Sequence, residues 1–72
     1  MFSTPRDRMA YEKARTMHAV LSIEKSGRGM AYRRGWNGHP YDVTWTSYPV
    51  YRAGKQNRKD AGEDAVDLPP VI

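Results

Sequence analysis

The fold prediction depends on the stretch Arg33-Arg34-Gly35-Trp36-Asn37-Gly38-His39-Pro40-Tyr41. Within it, Asn37-Gly38 is a strong β-hairpin signal, because both residue types tolerate the positive φ that a tight hairpin turn requires. Residues 29–34 before this turn and residues 41–46 after it alternate between the two sides of an extended chain. The pattern predicts an antiparallel hairpin. A third short strand is predicted over 48–52, at a sheet edge, because Pro49 has no N–H to donate.

An amphipathic helix is predicted over residues 4–25. Thr4 is a favourable N-cap, and Pro5 suits the first helical position. Gly27 is the expected C-terminal cap. Small and apolar side chains at four- and three-residue spacing form one face of this helix: Ala10, Ala14, Met17 and Leu21. The helix packed on the hairpin or three-stranded sheet gives an α+β fold class.

Composition divides the chain in two. Residues 1–52 are expected to form one small domain, and residues 53–72 a mobile tail that is first basic and then acidic. All twelve Lys and Arg residues lie within 1–59 beside four acidic residues, so this part carries +8, whereas 60–72 carries −4. A basic body favours anionic partners such as nucleotides, nucleic acid or acidic protein surfaces.

Several function classes are disfavoured by residue content. The chain has no Cys, which excludes disulfides and thiolate metal sites and fits a reducing compartment. No signal peptide and no apolar run near 20 residues is present, so we expect a cytoplasmic protein without membrane contact. His18 and His39 have no nucleophile or carboxylate partner in a catalytic pattern, so we expect no enzyme activity, cofactor or metal. Because 72 residues bury a small core, a homo-oligomer is expected.

The candidate ligand-binding residues cluster around the predicted turn. Trp36 lies between two glycines, where an indole can stack on a nucleobase. Arg33 and Arg34 can pair with phosphates, with Arg33 favoured because strand alternation turns Arg34 towards the helix. Asn37 offers an amide to a base or ribose, and Tyr41 completes the set. The alternative is that Trp36 folds back over the core and Asn37-Gly38 only turns the chain.

The same stretch resembles a phage anti-defence family, the anti-Thoeris proteins that sequester cyclic ADP-ribose-type signals. The resemblance covers about residues 9–45 and is carried by Gly27, Arg33, Gly35, Trp36, Asn37 and Gly38. Members of that family are longer and continue with further strands. The resemblance implies non-enzymatic capture of a nucleotide-derived signal by an oligomer, with Trp36 and Asn37 as binding residues.

The first functional prediction is therefore a small counter-defence protein of phage type that binds and sequesters an anionic, nucleotide-derived signal in the host cytoplasm. A protein-binding inhibitor or modulator of a host enzyme or nucleic-acid machine is the alternative. Direct nucleic-acid binding is a third possibility, favoured by the basic body. A minor virion or assembly component is a fourth.

Overall fold

The fold consists of four α-helices and one short 3-10 turn, and the computed structural model describes residues 2–42 and 47–69. No strand occurs in that part of the chain, so the predicted α+β fold class is wrong and the protein is a small helical bundle. The elements are α1 (Pro5–Thr16), α2 (His18–Leu21), α3 (Gly27–Asn37), α4 (Tyr48–Ala61) and the 3-10 turn Gly62–Asp64.

The predicted N-terminal helix begins where its cap residues indicate but is shorter than expected. The Asp7 amide donates to Thr4 Oγ1 at 3.1 Å, and Pro5 opens α1. Met17, with φ −112° and ψ 31°, interrupts the helix, and the single turn α2 follows. Gly27 begins α3 instead of ending the first helix, because Ser26 caps α3 by accepting from the Gly29 amide.

The strand predicted over residues 29–34 is helical and forms most of α3. Six residues of alternation are too few to separate a strand period from a helix period. Tyr32, Gly35 and Trp36 recur at the three- and four-residue spacing of a helix face, and all three are buried. Burial of this face against α4 favours the helix.

The predicted hairpin turn at Asn37-Gly38 is the C-terminal end of α3. Gly38 has φ +79°, its amide donates to Gly35 O at 3.2 Å, and the His39 amide donates to Arg34 O at 2.9 Å. This pair of bonds is the Schellman arrangement, which needs a left-handed residue just as a hairpin turn does. The positive φ was therefore predicted correctly for Gly38 but not for Asn37, which is the last residue of α3, and the predicted hairpin is absent at this turn.

The remaining strand predictions also change. Tyr41 and Asp42 form no strand. Residues 43–46 lie outside the described residues, and so does the prediction, from strand alternation, that Trp45 is a core residue. The segment 48–52 is helical and opens α4, where Pro49 occupies the first turn. The predicted boundary after Arg52 falls inside α4, which continues to Ala61.

The α3–α4 contact is close because both helices present a glycine. A Cβ on Gly35 would lie 2.0 Å from Tyr51 O, and a Cβ on Gly54 would lie 2.2 Å from Tyr32 O. The two helices thus repeat a Tyr-x-x-Gly pattern, and each glycine admits the carbonyl of the other helix's tyrosine. Next to this crossing, α1 packs on α4. The buried cluster comprises Ala14, Leu21, Tyr32, Trp36, Val50 and Ala53.

Candidate functional site

Arg33 is an interior residue with structural partners. Arg33 lies on the buried side of α3, and its residue is only 3% exposed. The guanidinium donates to Leu21 O and Glu24 O, each at 2.7 Å, and so satisfies one carbonyl at the end of α2 and one in the segment that follows it. Burial lowers the pKa of Arg33, and the nearby Glu24 carboxylate opposes this shift. The preference for Arg33 over Arg34 as the phosphate contact depended on strand alternation, which α3 does not have.

Arg34 lies at the surface end of α3. Its Nε and Nη2 atoms donate to Pro40 O at 3.2 and 3.1 Å. This contact holds the chain after Gly38 against the end of the helix. The two side chains therefore point in different directions: Arg33 points into the protein interior, and Arg34 points towards the loop that follows Gly38.

Trp36 and Asn37 lie side by side, and both contact the C-terminal segment of the chain. Trp36 is 8% exposed, and its Nε1 donates to Val66 O at 2.7 Å. Asn37 Nδ2 donates to Leu68 O at 2.9 Å, and Asn37 Oδ1 accepts from the Leu68 amide at 2.8 Å. The indole also packs beside the His18 ring, with ring centres 4.7 Å apart. The alternative in which Trp36 folds over the core describes its position.

Tyr41 lies apart from Trp36, in a cluster of three tyrosines at the start of α4. Its ring centre is 5.1 Å from those of Tyr48 and Tyr51, in edge-to-face geometry with both. The Tyr51 hydroxyl donates to His39 O at 2.7 Å. The five predicted ligand residues are thus divided between the buried side of α3, the C-terminal end of α3 and this tyrosine cluster.

A basic and aromatic surface on α4 is the feature that sequence reasoning missed. It surrounds an open concavity of about 310 Å³, at the lower end of the size of small-molecule sites. We call it the α4 basic face, and it consists of Tyr48, Tyr51, Arg52, Lys55, Gln56 and Lys59. The signal was present in the basic residues at 52, 55 and 59, whose spacing aligns them once the segment is helical. Assignment of residues 53–72 to a mobile tail concealed it.

The charge on α4 is strongly unbalanced. The helix has four basic residues and one acidic residue, Asp60. Asp60 pairs with Arg15 of α1 and accepts from Gln56 Nε2 at 2.9 Å, so its charge is engaged on the α1 side. Lys55 Nζ lies 5.7 Å from the Tyr51 ring centre, and the Arg52 guanidinium lies 5.0 Å from that of Phe2. The α4 basic face therefore presents cations beside aromatic rings.

The described residues contain no group of three or more His, Asp or Glu side chains placed to hold a metal ion. His18 contacts the Tyr32 hydroxyl in the interior, and His39 is exposed. Within the same residues, no helix has the length and apolarity that crossing a bilayer demands.

Comparison with known proteins adds no relative: no family model, no curated protein and no solved structure matches the chain. The resemblance carried by Arg33 to Gly38 therefore stays a prediction, and the functional argument depends on the α4 basic face.

Proposed function

We propose that the protein is a non-enzymatic binder of single-stranded nucleic acid and that the α4 basic face is its contact surface. The observation that carries the proposal is the combination of Arg52, Lys55 and Lys59 with the half-exposed Tyr48 ring on one open surface. Cations that follow a phosphate backbone, beside aromatic rings on which bases stack, are the common features of sequence-tolerant single-strand binding. A cytoplasmic location is part of this proposal.

The dimensions of the surface favour a strand over a single small ligand. From Tyr48 to Lys59, α4 extends about 16 Å at 1.5 Å per residue. This length accommodates several phosphates in a row, whereas the concavity is open and would leave a bound mononucleotide largely in water. A free nucleotide-derived signal shares the same chemistry and is distinguished by experiment. Inhibition of a host protein and assembly into a homo-oligomer stay predictions.

The proposal is tested with a fluorescein-labelled single-stranded 12-mer of mixed sequence and fluorescence anisotropy. We expect the double variant Lys55→Gln/Lys59→Gln to bind roughly tenfold more weakly than wild type, with a smaller salt dependence, because two phosphate contacts are lost. The matched control is Lys13→Gln/Lys25→Gln, which removes the same charge from exposed positions elsewhere. This control should retain nearly wild-type affinity.

Three outcomes are decisive. Equal losses in the two double variants would show that only net charge matters and would contradict a site on α4. Unlabelled ATP or a cyclic dinucleotide that displaces the oligomer at a similar molar concentration would assign the surface to a free nucleotide. Absence of measurable binding by the wild-type protein at low salt would refute the proposal.

A further inference from the structure

The segment of residues 65–69 lies against the end of α3 in the manner of a bound peptide. Two adjacent side chains make three hydrogen bonds to its backbone: Trp36 Nε1 donates to Val66 O, and the Asn37 amide both donates to and accepts from Leu68. The side chain of Leu68 is partly buried against the core. We call this segment the C-terminal strap.

The strap places one carboxylate on a cation of α4. Asp67 Oδ1 lies 2.8 Å from Arg58 Nη1, while the Asp67 side chain is 71% exposed. The Arg58 guanidinium lies 5.7 Å from the Trp36 ring centre and also donates to Trp36 O at 3.3 Å. An anion is therefore held beside a guanidinium and an indole, which is the arrangement that a phosphate next to a nucleobase would use.

Arg58 borders the α4 basic face. It follows Lys55 by three residues, so the two side chains are neighbours on the helix surface. Lys59, the next residue in the sequence, belongs to the face itself. A strand bound along the face therefore approaches Arg58, where it meets the Asp67 carboxylate.

The strap has few buried contacts. Its ion pair to Arg58 is exposed and therefore weak; of its apolar side chains, Ala65 and Leu68 are only partly buried and Val66 is 74% exposed. Segments with few buried contacts open at low free-energy cost. By contrast, the Arg15–Asp60 pair joins two helices and has additional bonds through Asn57 and Gln56.

We propose that the C-terminal strap is an intramolecular competitor: Asp67 occupies a phosphate position at Arg58, and a nucleic-acid strand displaces it and gains contact with Arg58 and the Trp36 face. The proposal depends on the function proposed above and adds its regulation. It also assigns to Trp36 a ligand contact that exists only when the strap has left.

The test compares two variants of the full chain that change the net charge equally. Asp67→Asn removes the carboxylate that contacts Arg58, whereas Glu63→Gln removes one from the 3-10 turn, where the residue is exposed. We expect Asp67→Asn to bind the single-stranded 12-mer up to about fivefold more tightly than Glu63→Gln, the factor that corresponds to a surface pair. In an Arg58→Gln background, the difference between the two variants should disappear, since the competition is for Arg58.

The outcomes separate the two proposals. Equal affinity of Asp67→Asn and Glu63→Gln, with wild type still bound through Lys55 and Lys59, would overturn the competitor and leave the proposed function intact. A difference that persists with Arg58→Gln would also overturn it, because another group would then be responsible. Absence of binding by every variant would remove the proposed function and the competitor together.

Discussion

At the scale of single residues, two glycines determine how closely α3 and α4 approach. Gly35 and Gly54 each face a backbone carbonyl of the other helix, and an added Cβ would lie far inside van der Waals contact. A flexible side chain can move away from such a clash, but a helix backbone cannot without separating the helices. The closeness also allows Cα–H···O contacts between the helices.

We expect Gly35→Ala to lower the free energy of unfolding by about 3 kcal/mol or more, because overpacking at a rigid contact displaces a helix. Gly27→Ala is the control in the same helix, since its Cβ would meet nothing within 4 Å. This variant should change stability by at most about 1 kcal/mol, in the stabilising direction. Urea unfolding measures both. Similar stability of the two variants would show that the close crossing is absent.

At the scale of elements, one buried hydroxyl connects three helices. Tyr32 of α3 is fully buried, and its hydroxyl accepts from Asn57 Nδ2 of α4 at 2.7 Å and contacts His18 Nδ1 of α2. Because the hydroxyl proton is not used by Asn57, it is available to His18 Nδ1. This network orients α2 and α4 against the same residue of α3.

The Tyr32 network predicts a loss of stability at alkaline pH. Burial raises the pKa of Tyr32 above its ordinary value of about 10, and the bond from Asn57 partly opposes the shift. Above pH 10 the unfolded chain loses this proton while the folded protein retains it, so the free energy of unfolding falls as pH rises towards the folded pKa.

Tyr32→Phe removes the titrating group together with its hydrogen bonds. At pH 8 we expect it to be less stable than wild type by about 1–3 kcal/mol, because two partly buried polar groups, His18 Nδ1 and Asn57 Nδ2, lose their partner. The deficit should narrow as the pH rises above about 10, because only wild type has a buried tyrosine whose ionisation destabilises the folded state. Tyr48→Phe, at a half-exposed position, is the control and should follow wild type. Parallel pH profiles for Tyr32→Phe and wild type would contradict this assignment.

A local sequence signal predicted an element correctly where only one kind of structure is compatible with that signal. Thr4-Pro5 marks a helix start, and α1 begins there. Asn37-Gly38 requires a positive φ, which both a hairpin and a Schellman cap provide, so the local signal could not choose between them. That choice depends on a tertiary contact, the Gly35–Gly54 crossing, whose partner lies 19 residues further along the sequence. The repeated Tyr-x-x-Gly pattern was the sequence signal for this helix crossing.

The candidate site shows the same dependence on long-range contacts. A glycine-flanked tryptophan predicts an exposed ring when the following chain is assumed to be a free tail. In the structure the strap returns to Trp36 and Asn37, and α4 supplies the cations that the tail was thought to carry. Residues 52–59 have few large apolar side chains because small residues, Ala53 and Gly54, form their buried side. Hydrophobicity alone therefore does not reveal this helix.

At the scale of the whole molecule, α4 is the element against which both α1 and α3 pack. Truncation after Arg52, the predicted end of the domain, would remove two buried residues, Ala53 and Gly54, and the Asn57 contact with Tyr32. Small domains have little stability to lose, because the net free energy of folding is only about 5–15 kcal/mol. We expect the 1–52 fragment to show no cooperative unfolding transition by far-UV circular dichroism.

Truncation after Asp64 is the matched comparison, since it keeps all of α4 and removes the strap. This fragment loses three hydrogen bonds to Trp36 and Asn37 and the partial burial of Ala65 and Leu68. It should unfold cooperatively at a lower temperature than the full chain, because those contacts stabilise α3 from its C-terminal end without forming the helix crossing. A cooperative transition in the 1–52 fragment would show that the first three helices fold independently. The division after Arg52 would then be a true domain boundary despite the continuous helix across it.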